Sequence, residues 1–146
     1  MGREANRLYR EQLERCAAEG PVPGRIEFLG RTEDVSQLYR ASYAALNFSS
    51  SESFSLTCQD ASAFGLPVIV TRCGGPEEII EDGKTGYLVP VGDVDAMAAR
   101  IGDLLSDVGR AFEMGARGVE LTRDRFGADK IRPTLQQVLN LDEAGN

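Results

Sequence analysis

Histidine is absent from the 146 residues. Without an imidazole, no step inside the chain can rest on a histidine base or a histidine metal ligand. Cysteine is scarce, occurring at positions 16, 58 and 73. The number is odd and no two are spaced as C-x-x-C, so a disulfide framework is not expected and a reducing compartment fits best. Positive charge is also in short supply: 16 Lys and Arg stand against 23 Asp and Glu, a net charge of −7. Non-specific nucleic-acid binding needs clustered cations to displace phosphate counterions, and docking on anionic lipid needs the same sign. The composition argues against both. No apolar run approaches the roughly 18–20 residues of a membrane span, and no signal peptide is visible at the start. The expected location is the cytoplasm.

What is present suits one folded domain over 1–146, with 42% apolar residues and interspersed charge. Residues 1–24 read as an N-terminal helix and linker. Apolar Ala5, Leu8, Tyr9, Leu13, Cys16 and Ala17 form a helical stripe. Gly20-Pro21-Val22-Pro23-Gly24 ends it. Over 25–92 strands and helices alternate. Strands are expected at Arg25–Leu29, Ala44–Phe48, Pro67–Thr71 and Gly86–Pro90. Helices are expected over Asp34–Ala41, from near Ser55 to Gly65, and over Glu77–Glu81 behind Pro76. Pro67–Thr71 has the β-branched, mostly apolar composition of a strand buried on both faces. Residues 93–146 read as helical throughout. Asp93 is placed to cap a first helix through Val108, weakened by Gly102, and helices near Gly109–Thr122 and Ala128–Leu139 follow. The last few residues are expected to fray.

Strand alternating with helix implies parallel strands joined by crossover helices, an open α/β sheet with helices on both faces. Ligands of such sheets collect beyond the carboxyl ends of the strands. The rule selects four loops, Gly30–Glu33, Ser49–Ser55, Arg72–Pro76 and Val91–Asp93. The second is the most informative. Ser49-Ser50-Ser51-Glu52-Ser53-Phe54-Ser55-Leu56-Thr57 leaves a strand and enters a helix. Amides at a helix start lack internal partners and carry the positive end of the dipole, which suits phosphate. Small Ser53 and Ser55 let a ligand approach the main chain. Glu52 sits before this start and Asp60 lies eight residues on, about two helical turns. Carboxylates accept hydrogen bonds from paired sugar hydroxyls. One acid on the loop and one on the helix suit two sugars flanking a diphosphate. On local chemistry alone, Ser53 or Ser55 serves equally well as a plain helix cap.

Ser51-Glu52-Ser53-Phe54-Ser55-Leu56, followed by Asp60-Ala61-Ser62-Ala63-Phe64-Gly65-Leu66-Pro67-Val68-Ile69, resembles the family 4 (group 1) glycosyltransferases. Their signature is an acid, seven residues, a second acid, then a small-residue helix ending in Gly-x-Pro-Val-[Val/Ile]. The likeness continues through Gly74-Gly75-Pro76-Glu77-Glu78-Ile79-Ile80, through Asp82–Val89, and through Gly92-Asp93. Upstream it takes in Ile26–Gly30 and Leu38–Ala41, and in all it spans about Arg25 to Leu139. It implies a Rossmann-like C-terminal lobe of a GT-B fold, binding a nucleoside diphosphate sugar and transferring the sugar with retention. By resemblance Glu52 is the catalytic acid-position residue beside the donor sugar. Main-chain amides across Ser53, Phe54, Ser55, Leu56 and Thr57 face the diphosphate, Asp60 takes the ribose hydroxyls, and Gly30-Arg31 seats the nucleobase. No metal and no cofactor is implied. The second acid is usually glutamate, and Asp60 is one methylene shorter. The family's basic pair, on a Gly-Arg…Lys-Gly type segment, has no counterpart before Gly20. The acceptor-binding N-terminal lobe is expected as a separate or missing part, and any peripheral membrane association would belong to it. The isolated chain is expected to be an incomplete enzyme.

Other residues have plainer readings. Gly74 and Gly75 suit a ligand contact or a tight turn, and the turn is favoured. Glu77 and Glu78 complement a helix dipole. Cys58 and Cys73 read as packing residues. Phe54 reads as a plug for the core. Arg110, Arg117, Arg123, Arg125, Lys130 and Arg132 read as a solvated face. Two rival functions stand beside the main one. One is a non-catalytic nucleotide-sugar-binding or interaction module. The other is a flavodoxin-like signalling domain phosphorylated on Asp60, which a helical position for Asp60 disfavours.

Overall fold

The computed structural model describes residues 3–21 and 23–139, the side chains of residues 3–6 and 134 excepted. The expected fraying of the last residues concerns 140–146, which lie outside the described residues. The chain divides into two compact units, Met1–Val35 and Ser36–Asn146.

In the first unit α1 spans Arg3–Glu19. Arg10 and Glu14, one turn apart, pair at 2.7 Å on its exposed surface. The strand expected at Arg25–Leu29 does not form. The segment pairs with no other strand among the described residues, and Ile26, Phe28 and Leu29 are exposed. Alternating apolar residues favour extended backbone, but a strand exists only where a neighbour takes up its amides and carbonyls.

The second unit carries the sheet. In chain order its elements are α2 (Val35–Ala41, entered from the first unit), β1 (Ala45–Asn47), α3 (Leu56–Ala63), β2 (Val68–Thr71), α4 (Pro76–Ile79), β3 (Gly86–Val89), α5 (Val94–Ser106), α6 (Val108–Phe126) and α7 (Ala128–Val138). The three strands lie in the order β1-β2-β3 and all run parallel. Ala45 is opposite Val68, and Val68 is opposite Gly86. Every residue of β2 is buried, as its sequence requires of a central strand. Val68 and Val70 pack with Cys58 and Ala61 of α3 and with Ile79 and Ile80. Ile69 faces the other way, into a cluster with Tyr87, Val89, Leu104, Ala111 and Met114. Helices therefore cover both faces, the Rossmann-like arrangement expected.

Short polar side chains start the long helices. Asp93 accepts from the amide of Ala96 at 2.9 Å, and Asp107 from that of Arg110 at 2.9 Å. The second cap places the start of α6 at Val108 rather than Gly109, and the helix runs on to Phe126, four residues past the expected Thr122. The apolar periodicity fades after Thr122, but nothing interrupts the helix until Gly127.

The close seating of α6 on the turn after α3 rests on one missing side chain. A Cβ at Gly115 would stand 1.9 Å from the carbonyl oxygen of Gly65. Gly115→Ala is expected to lower stability by about 1–3 kcal/mol through overpacking. Gly102, inside α5 with open space around its Cα, gives the opposite result: Gly102→Ala is expected to raise stability by about 0.5–1 kcal/mol. Urea unfolding checks both as opposite shifts of the midpoint at constant slope.

Candidate functional site

Beyond the carboxyl ends of β1 and β2 two loops are joined by further rungs of parallel pairing. The amide of Glu52 donates to the carbonyl of Cys73 at 3.3 Å, and the amide of Gly75 donates to the carbonyl of Glu52 at 2.7 Å. Glu52 and Gly74 thus form an isolated parallel bridge. Thr71, the last residue of β2, donates its hydroxyl to the carbonyl of Ser49. The contact is so close that a Cβ at Gly75 would lie 2.2 Å from the amide nitrogen of Phe54. Gly74 holds φ at 114°, a backbone that side chains rarely allow. The favoured turn at Gly74-Gly75 is present, closed by Glu77, whose carboxylate accepts from the amide of Gly74 at 2.9 Å. The glycines also let the two loops touch.

The loop then enters α3 through Ser55, the one described non-glycine residue with positive φ, at 63°. Such a backbone costs an L-residue roughly 1–2 kcal/mol. Ser55 is buried and caps the helix, its hydroxyl accepting from the amide of Cys58 at 3.4 Å. Its carbonyl takes the amides of Cys58 and Gln59, each at 3.1 Å. The amides of Ser53, Leu56 and Thr57 have no partner among the described residues, and their side chains are exposed. Asp60 is exposed on the same face of α3, three residues beyond Thr57 and four beyond Leu56. The open N–H donors point out of the first turn along the helix axis, and the Asp60 carboxylate is exposed about one turn further on.

Glu52 is half-buried, and its Oε2 accepts from Asn47 Nδ2 at 2.7 Å. Phe54 is half-buried against the α3–α4 cluster and meets Phe126 edge-on at 5.4 Å, the plug expected. Gly30 and Arg31 belong to the first unit, where both are exposed and Gly30 takes φ of 71°. Beneath the loop, Cys58 is fully buried. Burial pushes its thiol up, opposed by hydrogen bonds from Ser55 and Asn47 and reinforced by the charges of Glu52 and Cys73. Cys73 is half-buried. The Tyr39 hydroxyl is likewise raised, first by burial and then by Asp60 and Cys58. Among the described residues no three or more His, Cys, Asp or Glu side chains gather as a metal site. The sequence reading overlooked Asn47. Its one signal was a polar residue at the end of an apolar strand, directly ahead of a serine run.

Comparison with known proteins agrees with the fold. A family model described as "Glycosyl transferases group 1" matches residues 1–107. The chain is 39% identical over 110 residues to N-acetyl-alpha-D-glucosaminyl L-malate synthase of Bacillus anthracis, covering 75% of this chain and 29% of that protein. The chain spans between 20% and 38% of the length of the curated relatives compared with it. Among solved structures, sucrose-phosphate synthase of Thermosynechococcus elongatus superposes with a TM-score of 0.84 at 29% identity, over 92% of this chain and 34% of that one. Anabaena Alr3699/HepE in complex with UDP-glucose gives 0.86 at 24% identity, over 92% and 37% of the two chains. The second likeness is one of fold.

Two measurements test the local geometry. Ser55→Ala keeps the unfavourable backbone and drops the cap, so it is expected to cost about 1 kcal/mol or more. Ser55→Gly loses the cap but relieves the backbone and is expected to be nearly neutral. Thermal unfolding should rank them in that order. Alkylation with iodoacetamide at pH 8 should label exposed Cys16 in the folded chain, and buried Cys58, held protonated, only in denaturant.

Proposed function

The chain belongs to the group 1 glycosyl transferase family, and from that premise we propose that it is the donor-binding lobe of a retaining glycosyltransferase acting on a nucleoside diphosphate sugar. One observation carries the reading: the unpartnered amides of Leu56 and Thr57 stand at the mouth of α3, with Asp60 exposed about one turn along the helix. A diphosphate fits such donors because they are fixed by the helix and need no reorganisation. In the proposed complex the diphosphate lies across the amides of Ser53 to Thr57. Asp60 accepts from the ribose hydroxyls and Glu52 accepts from the donor sugar.

Catalysis in this scheme depends on charge. As the glycosidic bond to the diphosphate breaks, negative charge grows on the departing oxygens, and the amides stabilise that growth more than they stabilise the bound ground state. Amides at a helix mouth do this without a proton transfer, which suits a chain without histidine. The acceptor is held by a second lobe supplied outside these residues, so transfer is a property of the assembled protein. The location proposed for it is the cytoplasm, in keeping with its three free cysteines.

Isothermal titration of the chain with UDP, GDP and ADP tests the reading. One of the three is expected to bind, and Asp60→Ala to weaken that binding roughly tenfold, the loss of a charge-assisted pair of hydrogen bonds. Binding by none of them sinks the donor-site proposal and favours an interaction module. Binding that persists without transfer in the assembled protein favours a non-catalytic nucleotide-sugar-binding module.

A further inference from the structure

Asn47 ends β1 opposite Val70, so its backbone is fixed by the sheet. Its side-chain oxygen accepts from the amide of Ser49 at 3.2 Å and from the Ser49 hydroxyl at 2.7 Å. The first contact settles which way the amide group points. A backbone N–H only donates, so the atom facing it is the carbonyl oxygen, and the nitrogen must face the other way. There Nδ2 donates to Glu52 Oε2 at 2.7 Å and to Ser55 Oγ at 2.9 Å. Glu52 Oε1 has no partner among the described residues.

We propose that Asn47 is a positioning residue for the donor site: by holding Oε2 of Glu52 it turns the carboxylate so that Oε1 is the acceptor offered to a hydroxyl of the donor sugar. The inference rests on the donor-site reading above. A glutamate carboxylate turns broadly about its last torsion, and half-burial alone does not orient it. A short hydrogen bond to a group anchored in the sheet does. The donor is a neutral amide, so it fixes direction without cancelling the negative charge that makes Glu52 a strong acceptor; an arginine or lysine in its place would compete with the sugar. The same Nδ2 contacts Ser55 Oγ, but the cap bonds that Ser55 accepts from the Cys58 and Gln59 amides are made without Asn47. Selectivity follows: a sugar with its hydroxyl at the fixed Oε1 gains a bond, while one lacking that hydroxyl leaves a carboxylate oxygen unsatisfied.

The contacts to Ser49 raise the plainer possibility that Asn47 does no more than close the turn after β1. Two substitutions separate the roles. Asn47→Ser and Asn47→Thr both keep an oxygen that accepts from the Ser49 amide, as such turns need, and neither adds a charge. Both hydroxyls are too short to reach Glu52. Each variant of the whole chain, checked for folding by circular dichroism, is titrated with UDP-glucose, GDP-mannose and ADP-glucose, and with the parent diphosphates. Positioning predicts that affinity for the parent diphosphate stays within about twofold while the sugar conjugate binds roughly tenfold more weakly. In a Glu52→Ala background the Asn47 changes should add nothing, since their target is gone. Equal losses for both ligands, no loss at all, or the same further loss in the Glu52→Ala background would overturn the inference while leaving the donor site standing. A wild-type chain that binds none of the ligands removes the donor-site reading and this inference with it.

Discussion

The main chain from Glu52 to Phe54 lies directly on Gly75, and the arrangement at the mouth of α3 depends on that contact. The rung between the loops after β1 and β2 is made by backbone groups alone, with the Gly75 amide 2.7 Å from the Glu52 carbonyl. Nothing larger than hydrogen fits at Gly75. Burial of β2 on both faces fixes the end from which the second loop departs. The first loop is then placed by pairing with the second, and Ser55 absorbs the remaining bend in a left-handed backbone. From core strand to open amides the order is continuous.

Electrostatics gives this geometry its chemical meaning. The chain is acidic overall, at −7, and in the proposed complex it receives a ligand that is itself anionic. Long-range attraction does not bring the two together. The favourable field is local, made of backbone dipoles at a helix start, and it acts within the first turn. Arg72 follows β2 directly, but its guanidinium already pairs with Asp82 at 2.7 Å. A site built this way holds its ligand by direction more than by net charge.

Much of the fold was legible because periodicity carries it. The apolar stripe of α5, the β-branched run of β2 and the Gly-x-Pro join between α3 and β2 each have a single sensible reading. Arg25–Leu29 failed because alternation reports only that a segment can lie against something, and strand formation needs a partner that a local pattern does not name. The far end of α6 was missed for a related reason: charged residues from Arg123 to Arg125 mask helix where no apolar face is needed, and Arg125 instead bonds the Glu78 carbonyl and Glu81. At the candidate site, the acids and the helix start could be seen in sequence, since they follow the rules of helix ends. Asn47 could not, because its partners lie two, five, eight and eleven residues away, on a loop and a helix start whose path only the rung to Gly74 defines.

The absence of any side chain under Phe54 also divides the loop into an underside and an upper face with different freedom to vary. The underside is a matter of atoms in contact, where even a methyl group forces the main chain apart. Above it, the side chains of Ser51, Ser53 and Thr57 project into solvent and support nothing beneath them. In the proposed complex, new preferences among ligands arise by exchanging these outer residues one at a time, while the platform that displays them stays unaltered.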